Sequence, residues 1–160
     1  MLRSAAALVA VLLALPVAAQ QAAVPAAVKA PLHACDTLAG NPIDPGRVGP
    51  GVATASVRAE AAIIACQDAV RLYPNELRFQ FQLGRAFRQA NKVDDALRWY
   101  TAAADNGYPG ALNSLGVMYS AGEGVRADCT KAAHYFTLAA NQGYPAANDN
   151  LRTLACVRVV

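Results

Sequence analysis

Cysteine and histidine are the residues of this chain that could bind a metal, form disulfides or act as nucleophiles. The chain has four cysteines and two histidines: Cys35, Cys66, Cys129, Cys156, His33 and His134. No two cysteines form a Cys-x-x-Cys pair, and the two histidines lie far apart, so the spacing does not favour a zinc site. Four cysteines allow three disulfide pairings, and structural disulfides are their usual use in an oxidising compartment. We therefore expect two structural disulfides, no metal and no cofactor.

The common hydrolase motifs are absent from the sequence. It has no His-Glu-x-x-His, no Gly-x-Ser-x-Gly and no Ser-x-x-Lys. Asp94 and Asp95 are adjacent carboxylates, but neighbouring residues at the start of a helix point in different directions and suit the helix dipole. The sequence predicts a protein that is not an enzyme. The alternative from another class is a cell-envelope hydrolase.

The N-terminus has the pattern of a secretory leader. Arg3 precedes an apolar run that ends at Pro16, followed by small residues, so we expect a signal peptide over residues 1–19. The run is too short to span a bilayer, and no later run approaches that length. Removing Arg3 leaves 14 − 1 = 13 basic against 11 acidic residues, which does not indicate nucleic-acid binding. We expect a periplasmic or secreted protein with no membrane span in its mature chain.

A duplicated stretch organises the rest of the chain. Residues 96–111 return as residues 132–147, a step of 36, which is typical of stacked helical pairs. Around it we expect a flexible Ala/Pro-rich lead-in over residues 20–32, an N-terminal loop plus helix over 33–75, and about two and a half repeats over 76–160. Apolar spacing predicts helices over residues 56–73, 76–90, 93–106, 111–121, 129–142 and 145–156, with Ser56 capping the first.

The second repeat carries a specific motif. Residues 115–147 resemble a Sel-one-like repeat, the variable-length relative of the tetratricopeptide repeat, in five features: Leu115-Gly116, Tyr119, the turn Gly122-x-Gly124-Val125, Tyr135-Phe136, and an Ala-Ala-x-x-Gly ending. Residues 77–109 look more like an ordinary tetratricopeptide unit. The resemblance implies an all-α, right-handed solenoid with a disulfide-clipped irregular N-terminal segment, whose first helices line a concave surface that holds proteins or peptides.

Helix geometry suggests how the cysteines pair. Cys66 lies on the apolar stripe of its helix, where it can hold the irregular segment around Cys35. Antiparallel packing of the last two helices brings Cys156 towards Cys129. We therefore expect disulfides Cys35–Cys66 and Cys129–Cys156, although side-chain directions are not fixed by the sequence.

One helix offers a candidate binding face. When the helix over residues 76–90 is drawn at 100° per residue, one set of polar and aromatic residues lies opposite its apolar stripe: Arg78, Phe81, Arg85, Arg88 and Gln89. Asn113 and Asp149 occupy the matching positions on the first helices of the next two units. The functional interpretation is an acidic or carboxylate-ended peptide bound by the arginines and stacked on Phe81. The alternative is that Phe81 packs against the preceding helix while the arginines form a solvated face.

These observations predict a non-catalytic scaffold or adaptor of the periplasm or cell envelope that binds a protein or peptide. A second alternative is a structural subunit of an envelope assembly, for which self-association is possible.

Overall fold

The computed structural model describes residues 30–154. The expected leader, most of the lead-in and Cys156 lie outside the described residues. Seven α-helices and one short 3-10 turn (Thr54–Ser56) make up the described part, which contains no strand. The helices are α1 Ala34–Ala39, α2 Ala59–Leu72, α3 Leu77–Gln89, α4 Val93–Asp105, α5 Pro109–Ala121, α6 Cys129–Asn141 and α7 Pro145–Thr153. The expected all-α class is confirmed.

Local signals set the ends of the repeat helices. Pro109 and Pro145 occupy the first positions of α5 and α7, where the missing N–H has no helical partner to lose. The side chain of Asp128 caps α6 by accepting from the backbone N–H of Lys131 at 2.9 Å. Gly122 ends α5 with φ 68°, a conformation that glycine adopts without a Cβ clash. Ser56 does not cap α2 as expected, because it lies in the 3-10 turn and α2 begins three residues later.

Within each pair the two helices approach closely at a glycine. A Cβ built on Gly84 of α3 would lie 2.6 Å from the ring of Tyr100 on α4, and one on Gly116 of α5 would lie 2.5 Å from the ring of Phe136 on α6. Both aromatic residues are buried. The mid-helix glycines therefore serve close packing, which offsets their cost to helix stability of about 1 kcal/mol.

The N-terminal segment is fixed to the first long helix by a covalent bond. Cys35 on α1 and Cys66 on α2 form a disulfide with a Cα–Cα distance of 4.7 Å, and both residues are fully buried. The first expected pairing is confirmed. Cys129 also carries a disulfide; because its expected partner Cys156 lies outside the described residues, the second pairing stays a prediction.

Membrane insertion through a helix has no support in the described part of the chain. Across residues 30–154, every helix is too short or too polar to cross a bilayer.

Candidate interaction surface

The first helices of the successive pairs line one shared face. Residues of α3, α5 and α7 contribute to it, and we call it the inner face: Phe81, Arg85, Arg88, Asn113, Ser114, Val117 and Ala146. Two more residues of α3 extend this face at helical spacing: Gln82 lies one turn before Arg85, and Arg78 lies one turn before Gln82. The N-terminal segment, residues 30–54, lies on the inner face and bonds to Arg78 and Arg85 of α3. Other residues of this face remain partly exposed, namely Arg88, Ser114, Val117 and Ala146.

Asp36 is the main polar contact between the N-terminal segment and α3. Its Oδ1 accepts from Nε of Arg78 at 3.0 Å and from Nε2 of Gln82 at 2.9 Å. Arg78 also donates from Nη2 to the backbone oxygens of Ala30 at 2.8 Å and Pro31 at 3.0 Å. The side chains of Arg78 and Asp36 are each only 1% exposed. Arg78 also pairs with Glu76, with 2.7 Å between Nη1 and Oε2. Loss of Arg78 would therefore leave the buried Asp36 carboxylate without its cation, whereas loss of Asp36 would leave Arg78 paired with Glu76.

Arg85 binds the other end of the same segment. Its Nη1 donates to the backbone oxygen of Ala39 at 2.5 Å, and its Nη2 donates to the backbone oxygen of Val52 at 3.1 Å and to Oγ1 of Thr54 at 3.2 Å. Burial lowers the pKa of this guanidinium, although arginine remains charged at any physiological pH. The side chain thus recognises the main chain of the segment on both sides of its loop.

Two tyrosines at equivalent repeat positions bind the loop itself. Tyr108, the N-cap of α5, donates from its hydroxyl to Oδ2 of Asp44 at 2.5 Å. Tyr144, the N-cap of α7 and 36 residues later, accepts from Nδ2 of Asn41 at 2.9 Å. Burial, with Asp44 as the next cause, raises the pKa of Tyr108, and burial likewise raises that of Tyr144. Both phenols therefore stay protonated and keep these hydrogen bonds well above neutral pH.

Part of the predicted binding face is closed to solvent in this structure: Arg78 and Phe81 are fully buried and Arg85 is 5% exposed. The N-terminal segment covers the two arginines. The alternative of a solvated face is therefore wrong for Arg78 and Arg85. Phe81 packs towards the following helices, with its ring centroid 5.3 Å from that of Tyr108 and 6.0 Å from that of Tyr100.

The other four predicted residues lie at the edge of this region or outside it. Arg88 is half-buried and forms a two-pronged ion pair with Glu123 of the turn after α5, with N–O distances of 2.8 and 2.5 Å. Asn113 is buried and accepts from Nδ2 of Asn150 at 2.8 Å. Gln89 is exposed, and Asp149 is an exposed residue that pairs with its neighbour Arg152. A partner-binding role for the seven residues stays a prediction.

A cavity of about 150 Å³ remains between the N-terminal segment and the inner face. Asn41, Ile43 and Thr54 line it from the segment, and polar side chains from α3 and α5 line the opposite wall. The segment therefore covers the inner face without filling it. Within residues 30–154, no group of three or more His, Cys, Asp and Glu side chains is arranged to hold a metal ion.

The family comparison fits this geometry of stacked pairs. The model of the Sel1 repeat matches residues 79–108 and again residues 109–144. The chain carries two Sel1 repeats. Sel1 repeats are helical repeats that generally serve protein–protein interaction and are generally non-catalytic. Tyr108 and Tyr144 are the last residues of the two matches, so each Sel1 repeat supplies one phenol to the N-terminal loop.

Neither the curated proteins nor the solved structures that were compared include a match to this chain. The two Sel1 repeats cover α3 to α6, whereas the N-terminal segment and α2 precede them.

The residues predicted from the sequence do not include Gln82, Tyr108 or Tyr144, each of which bonds to the N-terminal segment. One signal for the tyrosines was present, because Gly-Tyr-Pro occurs at residues 107–109 and 143–145. The identity of the groups that these tyrosines bind, Asp44 and Asn41, has no comparable signal, since both lie in a loop rich in proline and glycine.

Proposed function

We propose that this Sel1-repeat protein is a non-catalytic scaffold or adaptor of the periplasm or cell envelope, and that it binds a protein or peptide at its inner face. One observation carries the proposal. The inner face already holds a stretch of polypeptide, through guanidinium bonds to main-chain oxygens and through one carboxylate. A surface that binds its own chain in this way has the chemistry needed to bind another.

Two features support an extracytoplasmic location. The leader-like pattern over residues 1–19 favours export, and the buried Cys35–Cys66 disulfide is typical of proteins that fold in an oxidising compartment. The interaction role agrees with the general use of Sel1 repeats, and the disulfides leave no free thiol nucleophile among the described residues.

The test is capture of partners by the immobilised mature protein from envelope extract, with mass spectrometry. Arg88→Glu changes the charge at the edge of the inner face, and Arg98→Glu is a matched charge reversal on α4, where the side chain is 76% exposed. We expect Arg88→Glu to lose partners that the wild type and Arg98→Glu retain. Arg85 is not used, because reversing a buried charge would disturb folding.

Two results would count against the proposal. One is that no protein is enriched over blank resin. The other is that both variants capture the same partners as the wild type while their thermal midpoints remain unchanged, which would place binding away from the inner face.

A further inference from the structure

The contacts between the N-terminal segment and the inner face indicate which kind of peptide this face can bind. We propose that residues 30–41 act as an intramolecular ligand, and that the inner face accepts in their place a peptide of another protein with the same chemistry: two non-helical residues that present their main-chain oxygens, followed by a helical turn that carries one carboxylate. This inference rests on the proposed function and names the class of its partner.

Half of the hydrogen bonds from α3 to the N-terminal segment go to main-chain oxygens. Within residues 30–41, Arg78 and Arg85 contact the backbone oxygens of Ala30, Pro31 and Ala39, which any peptide presents. Within the same residues the side-chain acceptor is Asp36, whose carboxylate accepts from both Arg78 and Gln82. Recognition by α3 therefore requires a defined backbone path and a single acidic side chain.

The segment itself sets the position of that acidic side chain. Pro31 precedes α1, His33 caps the helix from extended backbone (φ −120°, ψ 160°), and Asp36 is the third residue of α1. The Asp36 carboxylate accepts from the backbone N–H of His33 at 2.9 Å. A ligand that follows this path places its carboxylate five residues after the proline. An acidic residue at this position of a short helix is also favoured locally, because it completes the capping box.

The N-terminal segment does not satisfy every polar group of the inner face or fill all of its space. Gln82 is fully buried, and among the described residues its Oε1 has no hydrogen-bond partner. An unbonded buried acceptor is a cost that a ligand with a donor at this point would remove. The remaining cavity of about 150 Å³ beside Arg85 shows a second place where the segment does not complete the contact.

The segment occupies the inner face despite this incomplete fit because it is covalently part of the same chain. The Cys35–Cys66 disulfide holds the residue next to Asp36 on α2, and the chain re-enters the fold at Val57. The segment is tethered at Cys35 and at its C-terminal end, so its effective concentration at the inner face is on the order of millimolar or higher. A free peptide must compete with the tethered segment, and opening the tether and removing the anchoring carboxylate should strengthen its binding.

The experiment uses a full-length released variant, Cys35→Ser with Cys66→Ser and Asp36→Asn, in which Arg78, Gln82 and Arg85 are intact. The probe is a fluorescent synthetic peptide with the sequence of residues 30–41 carrying Cys35→Ser. The matched control peptide also carries Asp36→Asn. Binding is followed by fluorescence anisotropy, and hydrogen exchange compares the amides of residues 30–54 with those of α3 to α6.

We expect saturable binding of the acidic probe to the released variant, at least tenfold tighter than binding of the control peptide. The oxidised wild type should bind the acidic probe at least tenfold more weakly than the released variant does, because its own segment competes. Adding Arg78→Gln to the released variant should remove the tenfold preference. Hydrogen exchange should accelerate over residues 30–54 while α3 to α6 remain protected. Equal binding of the two peptides, or no binding to a folded released variant, would overturn the inference.

Failure of the released variant to fold is also informative. The milder double variant Cys35→Ser with Cys66→Ser keeps Asp36, and if it too unfolds globally, the segment is a permanent part of the core and the inference is wrong. The two proposals fail separately: probe binding without capture of envelope proteins would refute the proposed function alone, whereas capture by Arg88-dependent contacts without probe binding would refute this inference alone.

Discussion

The ring of Phe136 occupies the space beside Gly116, so that a Cβ on this glycine would lie 2.5 Å from both Cδ1 and Cε1 of the ring. The same relationship joins Gly84 to Tyr100 one pair earlier, at 2.6 Å. The repeated glycine therefore marks the position at which an aromatic ring of the second helix packs against the backbone of the first. Any side chain there must displace an aromatic ring from the core.

Gly116→Ala should destabilise the protein, although alanine is the better helix former. The gain in helix propensity is up to about 1 kcal/mol, whereas overpacking in a buried site costs typically about 1–3 kcal/mol. Gly116→Leu, which adds a larger side chain, should cost more. The measurement is the free energy of unfolding in urea. Combining Gly116→Ala with Phe136→Leu should recover part of the loss, and a stabilised single variant would show that the helices do not pack there.

The Arg88–Glu123 pair should contribute stability that disappears in acid. The hydrogen bond from Arg88 lowers the pKa of Glu123, so the contribution is complete above the ordinary glutamate value of about 4.3 and is lost as pH falls through the lowered value in the folded state. A double-mutant cycle with Arg88→Gln and Glu123→Gln should give a coupling energy of about 1 kcal/mol at neutral pH.

The control for this cycle is the exposed pair formed by Arg98 and Asp95 three residues apart on α4. Its coupling energy should be smaller and more sensitive to salt. A coupling energy at Arg88 and Glu123 that is independent of pH down to pH 2 would contradict the assigned role of the carboxylate.

Buried phenols should make the protein sensitive to alkali. Burial raises the pKa of Tyr100 to about 12, and that of Tyr108 is raised as well. Because the folded pKa values exceed the unfolded value of about 10, their contribution to stability is complete below that pH and is lost as pH rises further. Absorbance at 295 nm should show these phenolates forming only as the helical signal is lost. Ionisation of all six tyrosines in a chain that remains helical would refute this.

Removing the Cys35–Cys66 disulfide should lower stability without loosening the repeats first. The bond closes a loop with a sequence separation of 31, for which the chain-entropy model gives about 3–4 kcal/mol. Cys35→Ser with Cys66→Ser should therefore lower the thermal midpoint by several degrees. The double substitution is preferable to a reducing agent, because Cys129 is disulfide-bonded as well. An unchanged midpoint would mean that polar contacts alone hold the segment.

The repeats were predictable because their signals are local. The glycine turn, the prolines at the starts of α5 and α7 and the cap at Asp128 each depend on a few neighbouring residues, and the structure has all of them. The Cys35–Cys66 pairing was also predictable, since Cys66 lies on the apolar stripe of α2.

The state of the inner face was not predictable in this way. Helical spacing places Arg78 and Arg85 opposite the apolar stripe, but it does not show that a segment about forty residues earlier covers them. The evidence for that cover is a set of long-range hydrogen bonds to main-chain oxygens, and these leave no pattern in side-chain types. A face that appears polar by sequence is thus buried, because its polar groups are satisfied from within the chain.

The contacts of the N-terminal segment also bear on the elasticity of the repeat array. An array of stacked helix pairs bends through small rotations at each junction, since every pair contacts only its neighbours. Here one segment is bonded to α3 through Arg85, to the start of α5 through Tyr108 and to the start of α7 through Tyr144. The spacing between the alternate helices α3, α5 and α7 is then set by a fourth element, so the curvature of the array is fixed in advance and a partner must match a preset radius.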